Sequence, residues 1–187
     1  MSLKLFRSTG YHSILSPGEA SVAMHPGWAV TAASLWVGFA CNPWFWRSLS
    51  DGGSGLTAAA LQGVAIAGGA ASVLSLFGWR RTLKPIATLM LGAAALVAAG
   101  VWTQEVALTA TLEAQRPMLA LPSWASLFGW QVPTLLGLLG LLPMVWLWNA
   151  QLRRLSGSTQ LRANLTGMAL GATITGGAML ALSLLVD

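Results

Sequence analysis

The histidine and carboxylate side chains, which could carry acid–base or metal chemistry, are few, and they lie outside the long apolar runs of the chain. The two histidines, His12 and His25, both precede the first such run, and there are only five carboxylates. A haem or chlorophyll inside a membrane would take a histidine within a span as its axial ligand, so both histidines are interpreted as surface residues. No Ser-His-Asp set, paired-carboxylate site or metal-ligand spacing can be assembled. We therefore expect no catalytic residue, no metal site and no cofactor of the chain's own, and we predict that the chain is not an enzyme.

The composition is that of a polytopic membrane protein. Of the 187 residues, 55% are apolar and 8% are charged, whereas about a quarter of the residues in a soluble domain are charged. The net charge of +5 comes from small basic groups between apolar runs, a pattern typical of membrane topology signals. We therefore predict no nucleic-acid partner. Cys41 is the only cysteine, which excludes an internal disulfide.

Five apolar runs approach the length of roughly 20 residues that a membrane-crossing helix needs. They predict an all-α, five-helix transmembrane domain over residues 28–187, preceded by a cytoplasmic or interfacial segment over residues 1–27. Pro133 and Pro143 lie inside the fourth run, where we expect a bend or a locally loosened backbone because proline removes a helix hydrogen bond. The predicted spans cover about residues 28–46, 56–79, 86–102, 127–148 and 163–186.

Small residues recur in these spans at the four-residue spacing that lets helices approach closely. Gly167 and Gly171 form such a pair in the fifth span, and Gly63 has Ala67 at the same spacing in the second. Polar residues within the spans are expected to hydrogen-bond within or between helices, each contributing about 1 kcal/mol or less. They are Asn42, Gln62, Thr88, Gln131, Thr134, Thr173 and Thr175.

Basic residues alternate between the connecting segments and predict the topology, because Lys and Arg collect on the cytoplasmic side. The second connection carries Arg80, Arg81 and Lys84 as a loop, and Pro85 is interpreted as part of the first turn of the next helix. The amino terminus is therefore predicted in the cytoplasm and the carboxyl terminus in the periplasm. The basic residues of the fourth connection are Arg153, Arg154 and Arg162.

The third connection, about residues 103–126, is the only long one besides the leading segment. Its stretch Glu105–Arg116 has apolar residues among polar ones, and Pro117 follows it as a helix stop. We interpret it as a short surface helix that caps the bundle.

The chain contains the short motifs Arg81-Thr82-Leu83-Lys84-Pro85-Ile86, Asn42-Pro43-Trp44-Phe45-Trp46, Trp130-Gln131 with Leu141-Leu142-Pro143, and Arg153-Arg154. With these motifs it resembles the amino-terminal membrane domain of the lipid A phosphoethanolamine transferases. The resemblance covers roughly residues 28–187 and implies a five-helix domain with a cytoplasmic amino terminus. It also implies that a periplasmic domain with zinc ligands and a threonine nucleophile would follow the fifth span, whereas this chain stops at Asp187.

The same family places an Asn, a Thr and a Glu, four residues apart, after the third span, where they help to hold the donor lipid. Counted without gaps between Pro85 and Pro143, these positions are Gln115, Leu119 and Ser123. Leu119 has no hydroxyl and Ser123 has no charge. The resemblance therefore predicts that the donor-binding positions are altered.

The leading hypothesis is a non-enzymatic accessory subunit of a larger complex in the bacterial inner membrane. A photosynthetic reaction centre with its light-harvesting antenna ring is the first candidate host, where the bundle would interrupt the ring and leave a path for quinone. The alternative is the membrane anchor of a split phosphoethanolamine transferase acting on lipid A, and a remnant without function is a third reading. The expected partners are membrane lipids and other integral membrane subunits, and lipid, pigment or quinone could bind at the helix surfaces.

Overall fold

The computed structural model describes residues 23–50, 55–104, 121–153 and 155–186. Within these ranges the chain is helical without strands, which confirms the all-α prediction. Four of its helices are long and apolar enough to cross a membrane, as a multi-pass membrane protein requires. The predicted surface helix Glu105–Arg116 and most of the leading segment lie outside the described residues. The four candidate spans are Leu56–Leu76, Arg81–Thr103, Gln131–Asn149 and Gly157–Leu185.

Two of the helical stretches contain a π-helical turn. The first π-helical turn, Trp36–Ala40, follows the helix Pro26–Leu35, and the second π-helical turn, Gly137–Leu141, joins the helices Gln131–Leu136 and Leu142–Asn149. A short 3-10 turn, Ser126–Phe128, precedes the helix Gln131–Leu136. In chain order the described α-helices are α1 (Pro26–Leu35), α2 (Pro43–Ser50), α3 (Leu56–Leu76), α4 (Arg80–Gln104), α5 (Gln131–Leu136), α6 (Leu142–Asn149) and α7 (Gly157–Val186).

The first predicted span, residues 28–46, is interrupted. A turn at Cys41 ends the helical stretch Pro26–Ala40, and the Asn42 side chain accepts a hydrogen bond from the Trp44 N–H at 3.1 Å to start α2. At about 1.5 Å per residue this first stretch is about 22 Å long. It is shorter than the roughly 30 Å hydrocarbon core of a bilayer, which is why it is not one of the four candidate spans.

The basic stretch that was expected to form a loop is helical, and this corrects the sequence prediction. α4 begins at Arg80, and Pro85 lies inside the helix rather than in its first turn. The Thr82 hydroxyl donates a hydrogen bond to the Phe77 carbonyl at 2.8 Å and so helps to close the turn before the proline. Pro85 removes the hydrogen bond that its own N–H would have donated, and its ring crowds the carbonyl one turn earlier. The connection between α3 and α4 is thereby reduced to residues 77–79.

The fourth predicted span has the loosened backbone that its prolines predict. The second π-helical turn lies between Pro133 and Pro143. A π-helical turn disturbs the regular ladder of helix hydrogen bonds, and the carbonyl of Leu139 within it accepts a bond from Trp36 Nε1 at 2.9 Å. Trp36 opens the first π-helical turn, so this bond joins the two irregular turns.

α3 is the helix on which both α1 and α7 pack. A Cβ on Gly38 would collide with the carbonyl oxygen of Gly63, and a Cβ on Gly68 would lie 2.8 Å from the carbonyl oxygen of Gly171. Backbones approach this closely only where the residue has no side chain. The close helix contacts predicted for Gly63 and Gly171 are therefore confirmed. The apolar core that joins α1 to α4 and α6 includes Val30, Ala33, Leu74, Leu83, Leu91 and Leu147.

Hydroxyl groups add hydrogen bonds to these helix contacts. Thr175 Oγ1 donates to the Ala65 carbonyl at 3.2 Å, and Ser72 Oγ donates to the Met168 carbonyl at 3.2 Å. Such bonds between membrane helices contribute about 0.6 kcal/mol each on average. The prediction that polar residues of the spans bond between helices is confirmed at Thr175.

Basic residues of three separate segments meet at one end of the bundle, which we call the basic end. Lys84 Nζ donates to the carbonyl of Trp148 at 2.9 Å, which brings the start of α4 to the end of α6. The Arg153 N–H donates to the Met24 carbonyl at 2.9 Å, which brings the segment before α1 to the same place. The basic end comprises His25, Arg81, Lys84, Arg153 and Arg162.

Substitution of Gly171 by Ala should destabilise the protein, because the new Cβ would lie 2.6 Å from the carbonyl oxygen of Gly68. Overpacking of this kind costs about 1–3 kcal/mol. Gly177→Ala is the matched control, since nothing lies near a Cβ at that position of the same helix. Thermal unfolding in detergent, followed by circular dichroism, should show a lower midpoint for Gly171→Ala only. Equal midpoints for the two variants would contradict the close contact.

Candidate functional site

An open groove of about 800 Å³ lies between α1 and α7, with α3 as its floor. Pockets that bind small molecules typically enclose about 300–1,000 Å³, so its size suits a ligand. The groove exists because α1 and α7 each pack closely on α3 but have few direct contacts with each other. We call it the α1–α7 groove.

Polar side chains form the mouth of the groove at the basic end. Gln160, which is only 5% exposed, donates from Nε2 to the Gly78 carbonyl at 2.9 Å and to Asn164 Oδ1 at 2.8 Å. These bonds tie the first turns of α7 to the connection between α3 and α4. Arg162 and His25 also line the mouth.

His25 has a structural role at this mouth as well. Its Nδ1 accepts a hydrogen bond from the Gly27 N–H at 3.1 Å and so caps the start of α1. Pro26 follows at the first helical position, where the missing N–H is no loss. The side chain of His25 is exposed, as the sequence predicted. The other histidine, His12, lies outside the described residues.

Beyond the mouth, the walls of the groove are apolar. Leu35 on α1 and Leu170 and Ile174 on α7 are among the residues that line it. The distance along α7 from Gln160 to Ile174 is 14 residues, or about 21 Å at about 1.5 Å per residue. The groove therefore extends over about two thirds of a hydrocarbon core of roughly 30 Å.

Ser34 on α1 is an exception in this apolar region. It lines the groove, is only 2% exposed, and its Oγ has no hydrogen-bond partner within the described residues. Thr31, one turn earlier, instead donates to the Gly27 carbonyl of its own helix at 3.0 Å. A buried hydroxyl without a partner costs about 1–3 kcal/mol, so Ser34 destabilises this part of the fold.

The positions that the family resemblance singled out do not belong to the groove. Ser123 precedes α5, at the end of the bundle opposite the basic end, and its Oγ accepts a hydrogen bond from the Ser126 N–H at 3.3 Å. Gln115 and Leu119 lie outside the described residues. The sequence interpretation missed Ser34, Gln160 and Asn164, although the four-residue spacing of Gln160 and Asn164 is that of neighbours on one helix face.

The family resemblance has no independent support. Comparisons of the chain with protein-family models, curated proteins and solved structures found no match. The relation to the phosphoethanolamine transferases therefore stays a prediction from short motifs. Within the described part of the chain, no group of three or more His, Cys, Asp or Glu residues could hold a metal ion.

Substitution of Gln160 by Met should loosen the mouth, because the Gly78 carbonyl would lose its buried donor. A single neutral hydrogen bond of this kind contributes about 1 kcal/mol. Leu161→Met is the matched control, since Leu161 is the next residue on α7 and is half exposed. Hydrogen–deuterium exchange should become faster at residues 77–79 in Gln160→Met alone. Unchanged exchange there would show that the Gln160 bonds do not hold the connection.

Proposed function

We propose that this chain is a non-enzymatic helix-bundle subunit of a larger assembly in a bacterial inner membrane. The observation that carries the proposal is the uneven burial of its candidate spans. In α7 only 11% of the most apolar stretch is buried within the chain, compared with 44% in α3. A long apolar helix that is supported by α3 along one face leaves its other faces for lipid or for neighbouring subunits.

The distribution of ionisable groups supports a packing role over transport. In the described ranges, the basic side chains lie at helix ends, and no Asp or Glu is present. At the end opposite the basic end, an Arg47 guanidinium nitrogen donates to the Val101 carbonyl at 3.3 Å. Proton relays and ion paths place ionisable residues within the spans, and the four candidate spans have none in their central parts.

We also propose five membrane crossings with a cytoplasmic amino terminus. In this arrangement α1, the first π-helical turn and α2 together form the first crossing, with the break at Cys41 inside it. Two observations support it: Pro26–Ser50 spans 25 residues, and the Gly38 contact holds α1 along the candidate span α3. The basic end then faces the cytoplasm, as the excess of Lys and Arg predicts.

A photosynthetic reaction centre with its antenna ring is the host that we propose to examine first. There the bundle would interrupt the ring and leave a path for quinone. The anchor of a split phosphoethanolamine transferase is the competing proposal. Deletion of the gene separates the two, because an unchanged lipid A profile would remove the transferase role.

Cysteine labelling tests the topology. In a Cys41→Ala background, Ala125→Cys lies before α5 and Ser158→Cys lies in the first turn of α7, and both positions are exposed. A membrane-impermeant maleimide applied to spheroplasts should label the first variant, whereas the second should react only after lysis. Labelling of both variants before lysis, or the reverse pattern, would contradict the proposed orientation.

Association through α7 is testable by substitution of Gly177 by Leu. Nothing lies near a Cβ at Gly177, so the larger side chain should leave the fold intact but obstruct a neighbouring subunit. Gly137→Leu is the matched control, because it also adds a side chain into open space but on another segment.

The measurement is the yield of the native complex after purification in mild detergent. Gly177→Leu should lower the yield of co-purifying integral membrane chains several-fold relative to Gly137→Leu. Isolation of the unsubstituted chain as a lone monomer would overturn the subunit proposal.

A further inference from the structure

We propose that the α1–α7 groove binds an anionic phospholipid taken from the leaflet at the basic end. The phosphate lies at the mouth beside Arg162, and one acyl chain lies along the groove. This inference does not depend on the proposed subunit role, because it concerns the chain's own surface. It rests on the charge of the mouth and on the length and polarity of the walls.

The mouth offers donors and positive charge to a headgroup. Arg162 supplies a guanidinium group, which can form two parallel hydrogen bonds to a phosphate. Of the described residues that line the groove, Arg162 is basic and none is acidic. An anionic headgroup therefore complements it better than a zwitterionic one.

Contacts within the chain also fix the shape of the mouth. Gln160 is bonded to Gly78 and Asn164, and a Cβ on Gly78 would collide with Asn164 Oδ1. These contacts hold the first turns of α7 in one position relative to α3. A preformed site loses less conformational freedom on binding, which favours selective retention of a lipid over loose contact with the bilayer.

The walls have the length and chemistry of an acyl-chain site. The groove is about 21 Å long from Gln160 to Ile174 at about 1.5 Å per residue, and one leaflet contributes about 15 Å of hydrocarbon. One chain that begins at the mouth therefore stays inside the groove over its whole length. Leu170 and Ile174 line this part, and each is about half exposed.

The hydroxyl of Ser34 lies deeper than the ester region of such a lipid. Ser34 is eight residues from Pro26, the first residue of α1, or about 12 Å along the helix at about 1.5 Å per residue. Its Oγ is buried without a partner in the described structure. The interfacial region outside the hydrocarbon core is about 5–8 Å thick on each side of a bilayer, so the ester carbonyls of this lipid lie closer to the mouth than Ser34. Ser34 therefore lies beside the acyl chain, which gives its hydroxyl no partner.

The test uses the full chain in nanodiscs that contain equal amounts of phosphatidylglycerol and phosphatidylcholine, followed by native mass spectrometry of retained lipid. The unsubstituted protein should retain phosphatidylglycerol preferentially. Arg162→Gln should lower that preference about tenfold, the change in affinity that corresponds to 1.4 kcal/mol. Arg81→Gln is the matched control, because Arg81 lies at the same end and has the same charge but does not line the groove.

Three further variants separate the acyl-chain site from the headgroup site. Leu170→Trp fills the groove and should lower the retention of both lipids, whereas Leu165→Trp, at an exposed position of α7 that does not line it, should not. Ser34→Ala should leave phosphatidylglycerol retention unchanged and should not lower the thermal midpoint of the lipid-free protein, because it removes an unpaired hydroxyl at the depth of the acyl chain.

Three outcomes would overturn the proposal. Equal retention of the two lipids by the unsubstituted protein would exclude headgroup selection. Retention that is insensitive to both Arg162→Gln and Leu170→Trp would place the lipid elsewhere. If neither lipid is retained and a helix of a partner subunit occupies the groove in the native complex, the groove binds a protein. The subunit proposal can fail by monomeric isolation while the lipid result still holds, so the two are tested separately.

Discussion

The arrangement of the bundle depends on the close approach of backbones along α3. At one flank the first π-helical turn lies against it where Gly38 meets Gly63, and at the other flank α7 crosses it where Gly68 meets Gly171. Both contacts require residues without side chains. Because α3 holds a neighbour on each flank, α1 and α7 stand on either side of it with an open groove between them.

The irregular segments between and within the helices form hydrogen bonds that hold this arrangement. The Trp36 side chain in the first π-helical turn donates to the Leu139 carbonyl in the second. A side chain of one irregular turn thus satisfies a backbone carbonyl of the other inside the bundle. At the basic end, Gln160 satisfies the Gly78 carbonyl in the short connection between α3 and α4. In a membrane such backbone groups have no water to bond with. The same bonds that satisfy the backbone also shape the mouth of the groove.

Much of the fold follows from sequence, because apolar runs and small-residue spacing are local signals. Leu56 was predicted as the start of the second span and is the first residue of α3. The break at Cys41 was missed, although Asn42 followed by Pro43 is a helix-start signal. The helical turn before Pro85 depends on the Thr82 bond to Phe77, which an apolar window cannot reveal. The groove depends on which face of α3 each neighbour uses, and the burial of Ser34 depends on the same arrangement.

Oxidative cross-linking of cysteine pairs in a Cys41→Ala background tests most directly whether α3 holds α1 and α7 apart. Ser75→Cys with Gly167→Cys should form a disulfide, because a Cβ on Gly167 would lie 3.2 Å from the Ser75 Cβ, near the spacing of about 3.8 Å found in disulfides. Leu35→Cys with Ile174→Cys, on opposite walls of the groove, should stay reduced. Cross-linking of the second pair as readily as the first would contradict an open groove between α1 and α7.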